Sequence, residues 1–200
     1  MQLLDINKKQ KNMNTSAKKE DYNLLKQIGE GAYGKVYKAQ SKKDNRIVAM
    51  KELELANEDW IPLLAEINMV VDLHHESIVN YYAWFMENQK MWLVMEYCDG
   101  GSLREIVDTL KRPLTEPEIS AVSRGILESL IYVHSLNRIH RDIKAANLLL
   151  TSEGVIKLCD FGVSAQLDGT SEEYKRKTLA GSAYWMAPEL RRTCLLESRG

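Results

Sequence analysis

Residues 139–162, IHRDIKAANLLLTSEGVIKLCDFG, constrain this chain more than any other stretch. Residues 148–150 and 155–158 read as two short strands, with Thr151-Ser152-Glu153-Gly154 as the turn between them. Polar loops flank the pair: Asp142 and Asn147 precede the first strand, and Asp160 follows the second. Closing the hairpin therefore carries these oxygens to one end of a small sheet. Oxygen ligands at that density suit Mg²⁺, which takes one or two carboxylates together with substrate phosphates. The chemistry this points to is phosphoryl transfer.

Composition sets the outer bounds. The chain has 200 residues, 44% hydrophobic and 28% charged, as in a soluble globular protein of one ordinary domain or two small ones. A net charge of −1 gives no support for nucleic acid as a partner. No apolar run reaches membrane-spanning length, so no membrane insertion is expected. The start, MQLLDINKKQKN, carries an acid and an amide inside its short apolar patch and makes a poor signal peptide. Cys98, Cys159 and Cys194 are far apart, odd in number and without metal-ligand spacing. A reduced, cytoplasmic location is the expectation.

Residues 1–21 are Lys- and Asn-rich without hydrophobic periodicity, and read as a disordered extension rather than a docking segment. From residue 22 the texture changes. Residues 23–29, 35–40 and 46–53 read as strands, the first two joined by Gly29-Glu30-Gly31-Ala32-Tyr33-Gly34. Glycines let backbone N–H groups approach phosphate oxygens where a Cβ would obstruct. A dinucleotide-binding fold would need a helix directly after them. Instead, residues 35–39 alternate and are rich in β-branched and aromatic side chains, the pattern of a hairpin lid over phosphates.

Lys51 ends the apolar run Val48-Ala49-Met50, where an ordinary lysine would snorkel to the surface. Residues 59–73 read as a helix with Asp59 as N-cap, and Glu66 shares a face with Leu63, Met69, Val70 and Leu73. A carboxylate on an apolar face needs a partner, and Lys51 is the natural one. His74 and His75 follow as capping and packing residues rather than metal ligands. Residues 78–85 and 91–96 read as two further strands before Asp99-Gly100-Gly101 breaks the pattern. The boundary between a mainly β lobe (22–97) and a helical lobe (98–189) is placed there, and a hinge of this kind favours a small-molecule cleft.

The second lobe opens with two capping boxes, Ser102-Leu103-Arg104-Glu105 and Thr115-Glu116-Pro117-Glu118. The second starts a core helix reaching about Leu136, with Ile119, Val122, Ile126, Leu130 and Val133 as its apolar stripe.

His140-Arg141-Asp142-Ile143-Lys144-Ala145-Ala146-Asn147 then resembles the catalytic loop of protein kinases, H-R-D-x-x-x-x-N. Asp160-Phe161-Gly162 resembles their D-F-G motif and Ala187-Pro188-Glu189 their A-P-E motif. The glycine loop and Val48-Ala49-Met50-Lys51 stand where that family has G-x-G-x-x-G-x-V and V-A-I-K, with Met50 in place of isoleucine. Lys144, two residues after Asp142, looks like the serine/threonine-specific form of the loop. Tyr97-Cys98 after Met95, together with residues 140–147 and 181–189, is similar to the Sterile-twenty-like kinases, nearest to the Hippo-type and germinal-centre groups. Ser182-Ala183 departs from them, since they commonly carry Thr-Pro there.

The resemblance implies an α+β, bilobal fold: a five-stranded antiparallel first lobe with one helix, and a partial, mainly helical second lobe. It implies ATP and Mg²⁺ as cofactors, protein substrates, and room for an upstream kinase as a further partner. Ile28, Gly29, Glu30, Gly31, Ala32, Tyr33 and Gly34 would cover the phosphates, and Lys51, held by Glu66, would contact the α and β groups. Adenine would lie against Val36, Ala49 and Leu149, bonded to backbone at Glu96 and Cys98, with Met95 as gatekeeper. Asn147 and Asp160 would hold Mg²⁺, Asp142 would orient or accept the substrate hydroxyl proton, and Lys144 would steady the γ-phosphoryl group. Val70, Tyr81, Phe161 and His140 resemble the family's hydrophobic spine. Thr178, after Lys175-Arg176-Lys177, occupies the usual activating phosphosite, with Arg141 placed to receive the phosphate and Ser182 to contact Asp142 and Lys144. Cys159 reads as a small buried packing residue rather than a reactive thiol.

Kinases of this family continue past A-P-E into further helices, whereas residues 190–200 read as an atypical tail. The expectation is therefore a chain truncated in the large lobe. An inactive fragment that only binds nucleotide or partners stands as the alternative to an active serine/threonine kinase.

Overall fold

The computed structural model describes residues 17–31, 34–54, 67, 70, 73–88, 90–161, 165–166 and 182–189. Contacts divide the chain into two units, Met1–Asp99 and Gly100–Gly200. The division falls two residues beyond the boundary expected from sequence.

The first unit is a five-stranded antiparallel sheet of β1 (Tyr22–Gly31), β2 (Gly34–Ser41), β3 (Ile47–Glu54), β4 (Tyr81–Glu87) and β5 (Lys90–Glu96), in the order β1-β2-β3-β5-β4. Side-chain alternation along β3 divides the sheet into two faces. Met50 pairs with Tyr37 and Val94, and Glu52 with Trp92. That face is an aromatic core, with Phe85 stacked on Trp92 at 6.4 Å and Tyr22 on Phe85 at 6.4 Å. Glu52, nearly buried beside it, is neutralised by Lys90, which also reaches Glu54 at 3.4 Å.

Residues 17–21 correct the expectation that 1–21 are disordered. Ala17 is 4% exposed within the aromatic cluster, and residues Lys19–Asp21 form a 3₁₀ turn. The Lys18 N–H donates to Asp21 Oδ2 at 2.8 Å, and the Lys42 N–H donates to the Asp21 carbonyl at 2.8 Å. Lys19 Nζ lies 4.7 Å from the Trp92 ring centroid and 3.7 Å from Glu87. Composition misleads here because a lysine can cover an aromatic ring as well as face water. Residues 1–16 lie outside the described residues.

The fourth strand begins at Tyr81 rather than residue 78. Ile78 and Val79 are fully buried outside it, and a short apolar run does not distinguish a buried strand from a buried loop. Most of the helix expected over 59–73 lies outside the described residues; Ile67 and Val70 within it are helical and buried.

The second unit contains β6 (Gly101–Ser102), α1 (Leu103–Leu110), α2 (Glu116–Ser135), β7 (Arg138–Ile139), β8 (Leu148–Leu150), β9 (Ile156–Leu158) and β10 (Ala165–Gln166). Both helix starts follow the local sequence. At α1 the Glu105 N–H donates to Ser102 Oγ at 3.2 Å, while the Glu105 carboxylate accepts the Ser102 N–H at 2.8 Å. At α2 the Glu118 carboxylate accepts the Thr115 N–H at 2.7 Å and is forked by Arg112 at 2.9 and 2.8 Å. Those partners lower the Glu118 pKa to about 2, the Arg112 bonds contributing most.

The expected α2 stripe is only partly internal. Val133 is fully buried, whereas Ile119 is 43% exposed. The helix packs on β9 and β7, and at Gly125 a Cβ would come within 2.7 Å of Ile156. Burial is therefore concentrated in its later turns.

The hairpin 148–158 has the expected turn. The Thr151 N–H donates to Val155 O at 3.0 Å and the Gly154 N–H to Thr151 O at 3.0 Å, with Gly154 at φ +86°. β6 adds a third strand to it, and β7 pairs with β10; neither was visible in the sequence, since two-residue strands carry no periodicity.

Candidate active site

Each unit gathers its own set of the expected site residues. In the first, antiparallel register places cross-strand partners on a common face. Val36 pairs with Gly29 and Lys51, Lys51 also with Leu93, and Ala49 with Met95. Gly29, Val36, Ala49, Lys51 and Met95 thus form one continuous patch on the face opposite the aromatic core. Ala49 and Met95 are buried and Lys51 is half-buried. Ile28 and Glu30 are exposed on β1, and Gly31 pairs with Gly34 at the lid's tip. Glu96 closes β5, and Cys98 is buried just beyond it. Val70 and Tyr81 are buried in this unit. Ala32, Tyr33 and Glu66 lie outside the described residues, and with Glu66 the expected partner of Lys51.

In the second unit the polar groups converge on Asp142. Lys144 Nζ is 2.7 Å from Asp142 Oδ2, and Asn147 Nδ2 donates to Asp142 Oδ2 at 3.0 Å and to its carbonyl at 2.9 Å. The Ser182 N–H donates to Asp142 Oδ1 at 2.9 Å, while Ser182 Oγ accepts from Lys144 Nζ at 2.7 Å. Burial acts to raise the Asp142 pKa, but the bonds from Lys144, Ser182 and Asn147 outweigh it, and the carboxyl is held below its usual range. Asp142 is therefore an oriented carboxylate at neutral pH. Ser182 meets both residues expected to contact it, from 40 positions along the chain.

A second set of bonds joins this loop to Cys159, the residue before Asp160. The Cys159 N–H donates to the Asn147 carbonyl at 3.0 Å. His140 Nδ1 accepts the Asp142 N–H at 3.3 Å, and its Nε2 lies 2.9 Å from the Cys159 carbonyl. With Nδ1 an acceptor, the proton sits on Nε2. Burial pushes the His140 pKa down, opposed by Cys159, Asp160 and Asp142, so the ring stays neutral near pH 7. Phe161 meets that ring edge-on at 4.5 Å. Cys159 is half-buried rather than buried as expected, and its backbone N–H and carbonyl carry these bonds.

Two non-glycine residues here, Arg141 (φ +66°) and Asp160 (φ +61°), adopt left-handed backbone. Each costs about 1–2 kcal/mol, and such strain collects where function demands a particular side-chain direction. Nothing in the residue types announced it. Leu149 lies on β8, half-buried. Gly162 and Thr178 are outside the described residues.

The donor chemistry fits a magnesium nucleotide. The Asn147 side-chain nitrogen is committed to Asp142, which leaves its oxygen to serve as a ligand beside the Asp160 carboxylate, and both are hard donors.

The second unit holds an oriented, lysine-paired carboxylate, and the first a half-buried lysine in one patch with the glycine hairpin. Residues 22–196 match the family model described as "Protein kinase domain", and the chain belongs to that family. It is 45% identical over 172 residues to "Mitogen-activated protein kinase kinase kinase kinase 3" of Homo sapiens and of Rattus norvegicus, which covers 86% of this chain and 19% of each relative. It is 42% identical over 171 residues to "Serine/threonine-protein kinase cst-1" of Caenorhabditis briggsae, covering 86% of this chain and 34% of that one. These relatives are Sterile-twenty-like kinases, as the loop sequences resemble. The chain thus spans between about a fifth and a third of their lengths. Among the described residues no helix is long and apolar enough to cross a membrane.

Proposed function

We propose that this protein transfers the γ-phosphoryl group of ATP to serine or threonine hydroxyls of protein substrates, with Mg²⁺ as cofactor. The observation that carries the reading is the Asp142–Lys144–Ser182–Asn147 cluster. Phosphoryl transfer passes through a loose transition state, so catalysis is positioning and charge stabilisation. Asp142 receives the proton of the substrate hydroxyl as its oxygen bonds to the γ-phosphorus and the bond to the ADP oxygen breaks. Asn147 and Ser182 aim that carboxylate, and Lys144 offers its charge to the transferring group. Asn147 and Asp160 would hold a magnesium ion, which when bound would supply positive charge to neutralise the phosphates.

In the first unit, Lys51, paired with Glu66, contacts the α and β phosphates under residues 28–34. Adenine lies against Val36 and Ala49, with Met95 as gatekeeper and backbone bonds at Glu96 and Cys98. Phosphorylation of Thr178 by an upstream kinase, read by Arg141, orders the segment before Ser182. The setting is cytoplasmic signalling. No observation favours the alternative of an inert fragment.

Phosphotransfer from Mg-ATP to a generic basic protein, beside an Asp142→Asn control, tests the reading. Activity in the wild type that the control lacks supports it, and equal signals in both sink it. Thr178→Ala should lower activity, and an unchanged rate would remove the regulatory part.

A further inference from the structure

The nucleotide reading assigns Met95, Glu96 and Cys98 to adenine, yet the β4–β5 ladder is irregular where Met95 and Glu96 lie. β4 pairs Tyr81 with Met95 and then Ala83 with Val94, so one extra residue bulges from β4 at this end. A bulge interrupts the ladder on the β4 side, while β3 still pairs Ala49 with Met95 and Val48 with Glu96 on the other. Here the ladder is closed again by Asn80, which precedes β4. The Glu96 N–H donates to the Asn80 carbonyl at 2.8 Å. The Asn80 N–H returns to Glu96 Oε2 at 3.1 Å, and Asn80 Nδ2 donates to the same oxygen at 2.8 Å. Two of the three bonds end on a carboxylate and gain from its charge.

We infer that Asn80 is a positioning residue for the adenine-binding end of the nucleotide site, acting through its clamp on Glu96. It lies on none of the family's motifs. Its three bonds fix both the backbone N–H and the side chain of Glu96, and so the peptide planes between Met95 and Cys98. Hydrogen bonds to a flat base require those planes in one orientation, and a strand end that samples several loses affinity in proportion. The phosphate end, built on Lys51 and the glycine hairpin, does not depend on this clamp.

The inference rests on the nucleotide reading, and the experiment separates the two. Binding of ATP, adenosine and tripolyphosphate is measured on the wild-type chain and on Asn80→Ala. The variant loses only the Nδ2 bond to Glu96, and adenosine affinity and the KM for ATP should each worsen about tenfold, the size expected for losing one bond to a charged group. Tripolyphosphate affinity and kcat at saturating ATP should hold. Glu96→Gln, which keeps an acceptor oxygen opposite Asn80, should recover most of the adenosine affinity that Glu96→Ala loses. Unchanged adenosine binding in Asn80→Ala overturns the inference. So does an equal loss for adenosine and tripolyphosphate, which would mark a general loosening of the sheet. Should Asn80→Ala fail to fold, hydrogen exchange on the wild type decides: adenosine, and not tripolyphosphate, should slow the Glu96 amide, and no change there overturns the clamp. A wild type that binds none of the three ligands refutes the parent reading, and the inference with it.

Discussion

Replacing Gly34 by alanine asks which glycines of the lid serve phosphates and which serve the sheet. Gly34 has φ +132°, a conformation open to glycine and costly to other residues. A Cβ there would fall almost on the Glu52 carbonyl oxygen, 2.9 Å from its carbonyl carbon and 3.4 Å from Leu53 Cα. All of these are backbone atoms of β3, so no side-chain rotation relieves the overlap and β2 must move away from the strand that carries Lys51. Backbone strain and overpacking of this kind together cost about 3–5 kcal/mol. At Gly29 the same Cβ meets only Val36 side-chain atoms, at 3.7 and 3.9 Å, an ordinary contact. Gly29→Ala should stay within about 1 kcal/mol of wild type. Urea unfolding without nucleotide reads the contrast. At a slope of about 2 kcal/mol per molar, Gly34→Ala should lose about 2 M of midpoint while Gly29→Ala shifts little. If phosphate approach alone explains the motif, the two variants will have equal, near-native midpoints, and the packing argument for Gly34 falls.

Ser182→Ala removes the hydroxyl that Lys144 bonds while keeping the N–H to Asp142, so kcat should fall about tenfold and Ser182→Thr should retain it, as measured by initial rates. The folded-state pKa of Glu118 is lowered from 4.5 to about 2, so its contribution is complete above 4.5 and lost as pH falls through about 2. Glu118→Gln should accordingly be less stable than wild type at pH 6, the gap closing towards pH 2 in urea titrations; a gap independent of pH would refute the assignment. Deleting residues 1–21 removes Ala17 and Lys19 from the aromatic face and should destabilise the chain by about 1–2 kcal/mol by thermal melting. A true disordered tail would leave the melt unchanged.

Legibility in the sequence tracked the range of the interaction. Both helix starts and the hairpin at 148–158 rest on contacts within a few residues, and the strands of the first sheet were legible from their own alternation although β3 pairs with β5 some 40 positions away. Strand ends and the α2 stripe were read less well, because burial of Ile78 or exposure of Ile119 depends on elements remote in the chain. Residues 17–21 were misread for the same reason: their partners, Trp92 and Glu87, are some 70 positions away.

Residues 139–162, taken by themselves, pointed to the proposed chemistry, since side-chain type decides what can ligate a metal, hold a proton or carry a charge. Tertiary structure alone decided the aim of those groups. Ser182 reaches Asp142 and Lys144, Asn147 turns its nitrogen to one partner and leaves its oxygen for another, and Arg141 and Asp160 take left-handed backbone to do so. Such directions are set by packing and hydrogen bonds closed across dozens of residues, whose cost and gain appear only when the chain is folded.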